Sequence, residues 1–304
     1  MSLLSCYEQQ LKAEKKSEHT SRSYFIAARK FLGTSIPNEG ELSIDDVESM
    51  SMIEGVGHID PNNGRLDIWL QSISHLKPST VNARLAAISH LLKWLGHTVP
   101  DWVVRPQRSK RLPRTLTHQE LGNLIQVCRQ SENPLAEVIV VVLLETGLRV
   151  GELCGLDRID IDYQDMSANV WSGKGDKDRR VLFTKRSKDV LEKWLRHRST
   201  RSGKNDKALF LNSRGHRLTQ RNVQKMMDSL ADDAGILRSR LTPHTLRHNF
   251  ATGLLERGAD IVSIQRLLGH ADISSTRVYL DITDQTLREV YRRAQETDLF
   301  GDIE

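Results

Sequence analysis

Cysteine is scarce in this 304-residue chain: Cys6, Cys128 and Cys154 lie far apart, and none belongs to a C-x-x-C pair. That excludes a disulfide framework and removes the usual signature of a zinc site, so the thiols read as reduced packing residues and no metal or cofactor is expected. No neighbouring base stands ready to activate one of them as a nucleophile. Aromatic residues make up only 5% of the chain. No apolar run approaches the roughly 18 residues needed to cross a bilayer, so no membrane partner is expected. The opening MSLLSCYEQQLKAEKK has no basic leader followed by a long apolar run and a small-residue cleavage site, which makes a cytoplasmic location the expectation. Internal repeats and low-complexity stretches are missing as well. What is present, 38% apolar and 27% charged residues, is the composition of a folded globular protein. The length allows two cores.

The net charge of +5 is modest, but it is unevenly spread. Residues 1–103 carry ten basic and twelve acidic side chains, against thirty-four and twenty-seven in residues 104–304. Two segments concentrate the excess: 104–115 has five basic residues and no acidic one, and 174–201 has eleven basic and four acidic. Clustered cations of this kind suit the phosphates of nucleic acid.

Arg105, Pro106, Arg108, Lys110, Arg111, Pro113 and Arg114 fall in a stretch without apolar periodicity, where two prolines disfavour a helix. It reads as a basic linker over 104–116. Before it, residues 1–103 show helical spacing over Leu3 to Lys15, Ser17 to Leu32 and Pro78 to Leu95, with a short helix near Asp45 to Met50 between loops. After it, Thr117 and Glu120 form a capping-box start. The apolar segment Val138 to Leu144 runs on to a stop at Gly147. Short β-rich runs follow at Ile159 to Tyr163, Ala168 to Trp171 and Arg179 to Phe183, with GKGDKD (173–178) as a hairpin turn. Helical spacing returns at Asp189 to Arg198, Arg221 to Ala234, Pro243 to Glu256, Ile261 to Leu268 and from Thr276 onward. The fold class is therefore mainly α with a small antiparallel β-sheet in the C-terminal domain, an α+β arrangement in which two domains form a clamp. The domains are 1–103, helical, and 117–285, α+β. Residues 286–304 form a C-terminal tail.

Exchange of DNA phosphodiesters without a metal needs cations on the non-bridging oxygens, an attacking hydroxyl and an acid for the leaving 5′ oxygen. Arginine suits the clamp because its planar fork matches phosphate. His244 and Arg247 lie three apart, on one helix face, just after the cap and first-turn pair Thr242 and Pro243, where free N–H groups favour an anion. His248 is expected to point elsewhere. His270 follows Gly269, a left-handed helix stop. Taken singly, each has a plainer reading: Arg149 as an ion-pair partner of Glu152, Lys174 as an exposed turn residue, Tyr279 as a core aromatic.

Together they carry a resemblance. The run LTPHTLRHNFATGLLERGADIVSIQRLLGHADISSTRVYLD (241–281) resembles the C-terminal signature of the tyrosine recombinases, particularly the Xer group that resolves chromosome dimers: H-x-x-R, then L-L-G-H, then a tyrosine nine residues later. TGLRVGEL (146–153) is similar to that family's first arginine box, and GKGDKDRRV (173–181) to its lysine hairpin, although the following LF lacks the proline often found there. The resemblance implies Arg149 and Arg247 as phosphate clamps, with Glu152 orienting Arg149. It implies Lys174 as general acid with Lys177 as fallback, His244 and His270 as phosphate and proton partners, and Tyr279 as nucleophile, with Tyr291 structural. The activity implied is site-specific recombination through a 3′-phosphotyrosyl intermediate, free of ATP, metal and other cofactors. The partners implied are a double-stranded DNA recombination site, a homo- or hetero-tetramer on DNA and an accessory regulator protein, with 1–103 as the DNA-binding domain, 117–285 as the catalytic domain and 286–304 as a segment that docks a neighbouring protomer. A type IB topoisomerase or a catalytically silent DNA-binding regulator would share the scaffold. A metal-dependent nuclease would draw on Asp157, Asp160, Asp162 and Asp165, which read instead as the solvated edge of a strand.

Overall fold

The computed structural model describes residues 2–34, 43–61, 63–107, 115–171, 178–199 and 207–269. The chain divides into two compact units, Met1–Lys110 and Arg111–Glu304. Residues 108–114 of the basic segment lie outside the described residues, as do Lys174, Lys177, His270, Tyr279, Tyr291, the helix expected from Thr276 and the tail 286–304.

In the first unit the described helices are α1 (Leu3–Ala13), α2 (Glu18–Leu32), α3 (Ile44–Ser49), α4 (Met52–His58), α5 (Arg65–Ile73) and α6 (Pro78–Trp94). Their apolar faces meet in one core that includes Tyr7, Phe31, Trp69, Leu85 and Leu91. Tyr7 crosses from α1 to α6, where its hydroxyl hydrogen-bonds His90 Nδ1 at 3.0 Å. The stretch expected to hold one short helix between loops contains two. Ser51 and Glu54 close a capping box around α4, so local cap chemistry overrides the loop-like composition of that segment.

The second unit begins with α7 (His118–Gln130), α8 (Leu135–Thr146) and α9 (Val150–Gly155). The expected capping box is present: Thr117 Oγ1 accepts from Glu120 N at 3.2 Å, and Glu120 Oε2 accepts from Thr117 N at 2.8 Å. A 3₁₀ turn, Arg158–Asp160, leads into β1 (Ile161–Asp162), β2 (Ser167–Val170) and β3 (Arg179–Leu182), an antiparallel sheet in the order β1-β2-β3. The described part closes with α10 (Lys185–Ser199), α11 (Gln220–Asp233), α12 (Pro243–Glu256) and α13 (Ile261–Leu268). Helix α8 is apolar on nearly every face because it is the axis of the core, with Val138 through Leu143 all buried. Sequence periodicity missed α9, a helix of six residues with too short a span to show a period.

Of the four aspartates, Asp162 and Asp165 are exposed, as expected of a solvated edge, and Asp160 is not. Asp160 is buried, accepting the Trp171 indole N–H at 2.7 Å and the Asp157 N–H at 2.7 Å. Asp157 pairs with Arg217, Asp165 with Arg180 at 2.9 Å and Asp162 with Arg180 at 3.3 Å. The cause is that the first of the expected β runs starts as a 3₁₀ turn, which rotates Asp160 inward.

Candidate active site

Two helices end where the site begins. Helix α8 stops at Gly147 with φ 61°, and α13 stops at Gly269 with φ 64°. Both stops need glycine twice over, for the left-handed backbone and for space. A Cβ at Gly147 would stand 2.4 Å from Phe250 Cδ1, and one at Gly269 would stand 2.7 Å from Arg179 Cδ. The last carbonyls of a helix lack partners within the helix and attract cations. Here arginines supply them.

Arg247, only 3% exposed on α12, donates from Nη1 to Gly147 O at 2.5 Å and from Nη2 to Leu268 O at 2.7 Å. Arg149, at the cap of α9, donates from Nη2 to Gly269 O at 3.3 Å. Arg179, at the start of β3, donates from Nε to Leu267 O at 3.2 Å.

The three guanidinium groups converge on Glu152. Its Oε1 accepts from Arg149 Nη1 at 2.9 Å and Arg179 Nη1 at 2.7 Å; its Oε2 accepts from Arg179 Nη2 at 2.8 Å and the Arg149 backbone N–H at 2.7 Å. Arg247 Nη1 lies 3.9 Å from Oε2. Burial on its own would raise the Glu152 pKa, but the hydrogen bonds and charges of Arg179 and Arg149 hold it below the ordinary 4.5. One ionised carboxylate thus organises three cations. Glu152 does meet Arg149, as its spacing suggested.

Arg179 is the residue that sequence reasoning missed. It looked like one more cation in a basic strand, and only its burial, with a side chain 8% exposed, sets it apart. Position 179 in a strand gives no local sign of the helix ends it will meet.

His244 is the second residue of α12 and stays open to solvent. Partial burial, then the charges of Arg247 and Arg149, lower its pKa from 6.5, so the ring is neutral near neutral pH in the free protein. His248 does not point away: its ring centroid lies 4.5 Å from that of His244. Four residues make just over one helical turn, which places the two rings on the same flank. The described part of the candidate site is therefore the cluster of Arg149, Glu152, Arg179, His244 and Arg247, drawn from the start of α9, β3 and α12. Burial pushes the thiol of Cys154, the cysteine nearest in sequence, up to about 11, which disfavours its thiolate.

The profile of the phage integrase family matches residues 114–286. The tyrosine recombinase XerC of Corynebacterium efficiens is 37% identical over 195 residues, 63% of this chain and 62% of that protein. XerC of Corynebacterium glutamicum is 34% identical over 225 residues, covering 71% of this chain and 72% of the relative. The crystal structure of XerA recombinase is 32% identical with a TM-score of 0.54, covering 96% of this chain and 97% of that one. With the family profile spanning more than half of it, and with relatives at this identity, the chain belongs to the phage integrase family of tyrosine recombinases.

Proposed function

We propose that this protein is a site-specific DNA recombinase that breaks and rejoins DNA through a 3′-phosphotyrosyl intermediate. The observation that carries the reading is the convergence of Arg149 and Arg247, 98 positions apart, on one carboxylate beside His244. A phosphodiester placed there meets preorganised cations whose orientation is already fixed by Glu152 and by helix-terminal carbonyls, so little reorganisation accompanies charge development.

In this reading the Tyr279 phenol oxygen attacks phosphorus while Arg149 and Arg247 hold the non-bridging oxygens. The bond to the 5′ oxygen breaks, and that oxygen takes a proton from Lys174, or from Lys177 in the same turn. His244 and His270 hydrogen-bond the phosphate, and between them accept the proton that the phenol loses on attack and return it when the phenol leaves. The 5′ hydroxyl of the partner strand then attacks the phosphotyrosine, re-forming the phosphodiester and returning the phenol. The phosphotyrosine stores the energy of the broken bond, so the cycle consumes no ATP. Two duplexes with two cuts each call for four protomers, which makes a homo- or hetero-tetramer on DNA the working assembly, open to an accessory regulator protein. Residues 1–103 and 117–285 would grip the duplex as a clamp joined by the basic segment 104–116, and 286–304 would dock a neighbouring protomer.

The test is incubation in EDTA with nicked suicide duplexes from the protein's own genomic neighbourhood, followed by a denaturing gel. Wild type is expected to give a protein–DNA adduct that Tyr279→Phe does not. Binding without any adduct would favour a silent regulator, relaxation of a supercoiled plasmid without site preference, in a parallel incubation, a topoisomerase, and cleavage restored only by metal would sink the tyrosine mechanism.

A further inference from the structure

A cleft of 520 Å³ opens at Arg149 and Glu152 and runs to Trp171, with Asn169, Asp160 and Gln220 on its walls. That volume lies within the roughly 300–1,000 Å³ typical of sites for small molecules or single nucleotide-sized groups. Trp171 follows β2 and is 66% exposed, an unusual state for the largest apolar side chain. It is nonetheless held in place. Its Nε1 donates at 2.7 Å to Asp160 Oδ1, on a residue only 7% exposed. The second oxygen of Asp160 accepts the Asp157 N–H at 2.7 Å, so the anchor itself is fixed from behind. A charge-assisted bond thus orients an indole whose face is left to solvent.

Across the cleft, Gln220 begins α11 and reaches towards α9: its Nε2 would stand 3.1 Å from a Cβ at Gly151. The cleft therefore combines a rigid aromatic face, an amide with donor and acceptor, and a guanidinium at one end. Proteins hold nucleic-acid strands with this set, the ring stacking on a base or sugar while the cation takes the phosphate.

We propose that the Trp171 cleft is a nucleotide subsite, in which the indole stacks on the deoxynucleotide next to the phosphate held at Arg149. The proposal rests on the recombinase reading of the same site. It makes Trp171 a positioning residue for the strand, independent of the hydroxyl that attacks it.

The test uses the full chain and the nicked duplexes described above. Acrylamide quenching is measured for wild type and Trp171→Phe, and the difference isolates the Trp171 signal. Bound duplex is expected to shield that signal. In mobility-shift titrations Trp171→Ala should bind roughly 10-fold more weakly, the scale of one base–aromatic stack, while Trp171→Phe retains most of the affinity. An abasic sugar beside the nick should weaken wild type and leave Trp171→Ala unchanged. A duplex shifted normally, with Trp171 still fully quenched and Trp171→Ala binding as wild type, overturns the subsite and leaves the recombinase reading standing. A chain that shifts no duplex overturns both.

Discussion

Glu152→Gln is the perturbation that most directly probes the arginine cluster. The substitution keeps the side chain's shape and removes its charge, leaving Arg149, Arg179 and Arg247 at 2.9, 2.7 and 3.9 Å from an amide. The Glu152 side chain is 11% exposed and that of Arg179 8%, so water screens the uncompensated cations poorly. Breaking one member of a buried pair costs about 3–5 kcal/mol. In a unit the size of Arg111–Glu304, each kcal/mol moves Tm by about 2–4 °C, so the variant should melt about 6–20 °C lower. Calorimetry of the whole chain reads this directly. Adding Arg179→Met to Glu152→Gln should recover part of the loss, because the second change removes the cation that the first one orphaned. The pH dependence has a fixed direction. A carboxylate whose pKa falls on folding stabilises above its unfolded value and loses that contribution as pH drops through the folded value. The gap between wild type and Glu152→Gln should therefore be full above pH 4.5 and close below it. A melting shift under about 3 °C at neutral pH would refute the argument that this carboxylate organises the cluster.

Three further outcomes follow from the same geometry. Gly147→Ala must adopt φ 61° and place a methyl 2.4 Å from Phe250; denaturant titration should show a loss beyond the about 1–2 kcal/mol of left-handed strain alone, and larger than for Gly235→Ala, which has φ 67° and open space. His244 should titrate below 6.5 by NMR in the free protein and move upward when inorganic phosphate or DNA fills the site, since a nearby anion favours the imidazolium; an upward-shifted value in the free protein would contradict the arrangement. Thiol labelling of the native protein should reach Cys6 first, because burial pushes Cys128 up to about 12 and Cys154 to about 11.

Much of the fold was legible because its signals are local. The spans Pro243–Glu256 and Ile261–Leu268 follow from a Thr-Pro start, a glycine stop and an apolar stripe. The three β runs are recognisable from residue type and turn chemistry, with ends that differ by a residue or two. Helices α4 and α9 escaped notice because six or seven residues are too few to display a period, although the Ser51–Glu54 capping box was visible. The expectation for His248 failed because adjacency to Arg247 drew attention from its four-residue spacing to His244, which the helix turns into a ring contact.

By itself, then, the order of residues determined that this chain has one mainly helical segment and one α+β segment, and it singled out Arg149, His244 and Arg247 as chemically meaningful. Those inferences rest on caps, spacing and motif order, all properties of neighbouring residues. Only the tertiary structure decided that Arg179 joins Glu152, that Asp160 turns inward to hold Trp171, and that two helix C-termini meet to receive the arginines. Each of these joins residues from separate elements, up to 120 positions apart in the case of Arg149 and Gly269. Which buried carbonyl or carboxylate a guanidinium will reach depends on how the elements pack, and no local pattern encodes it.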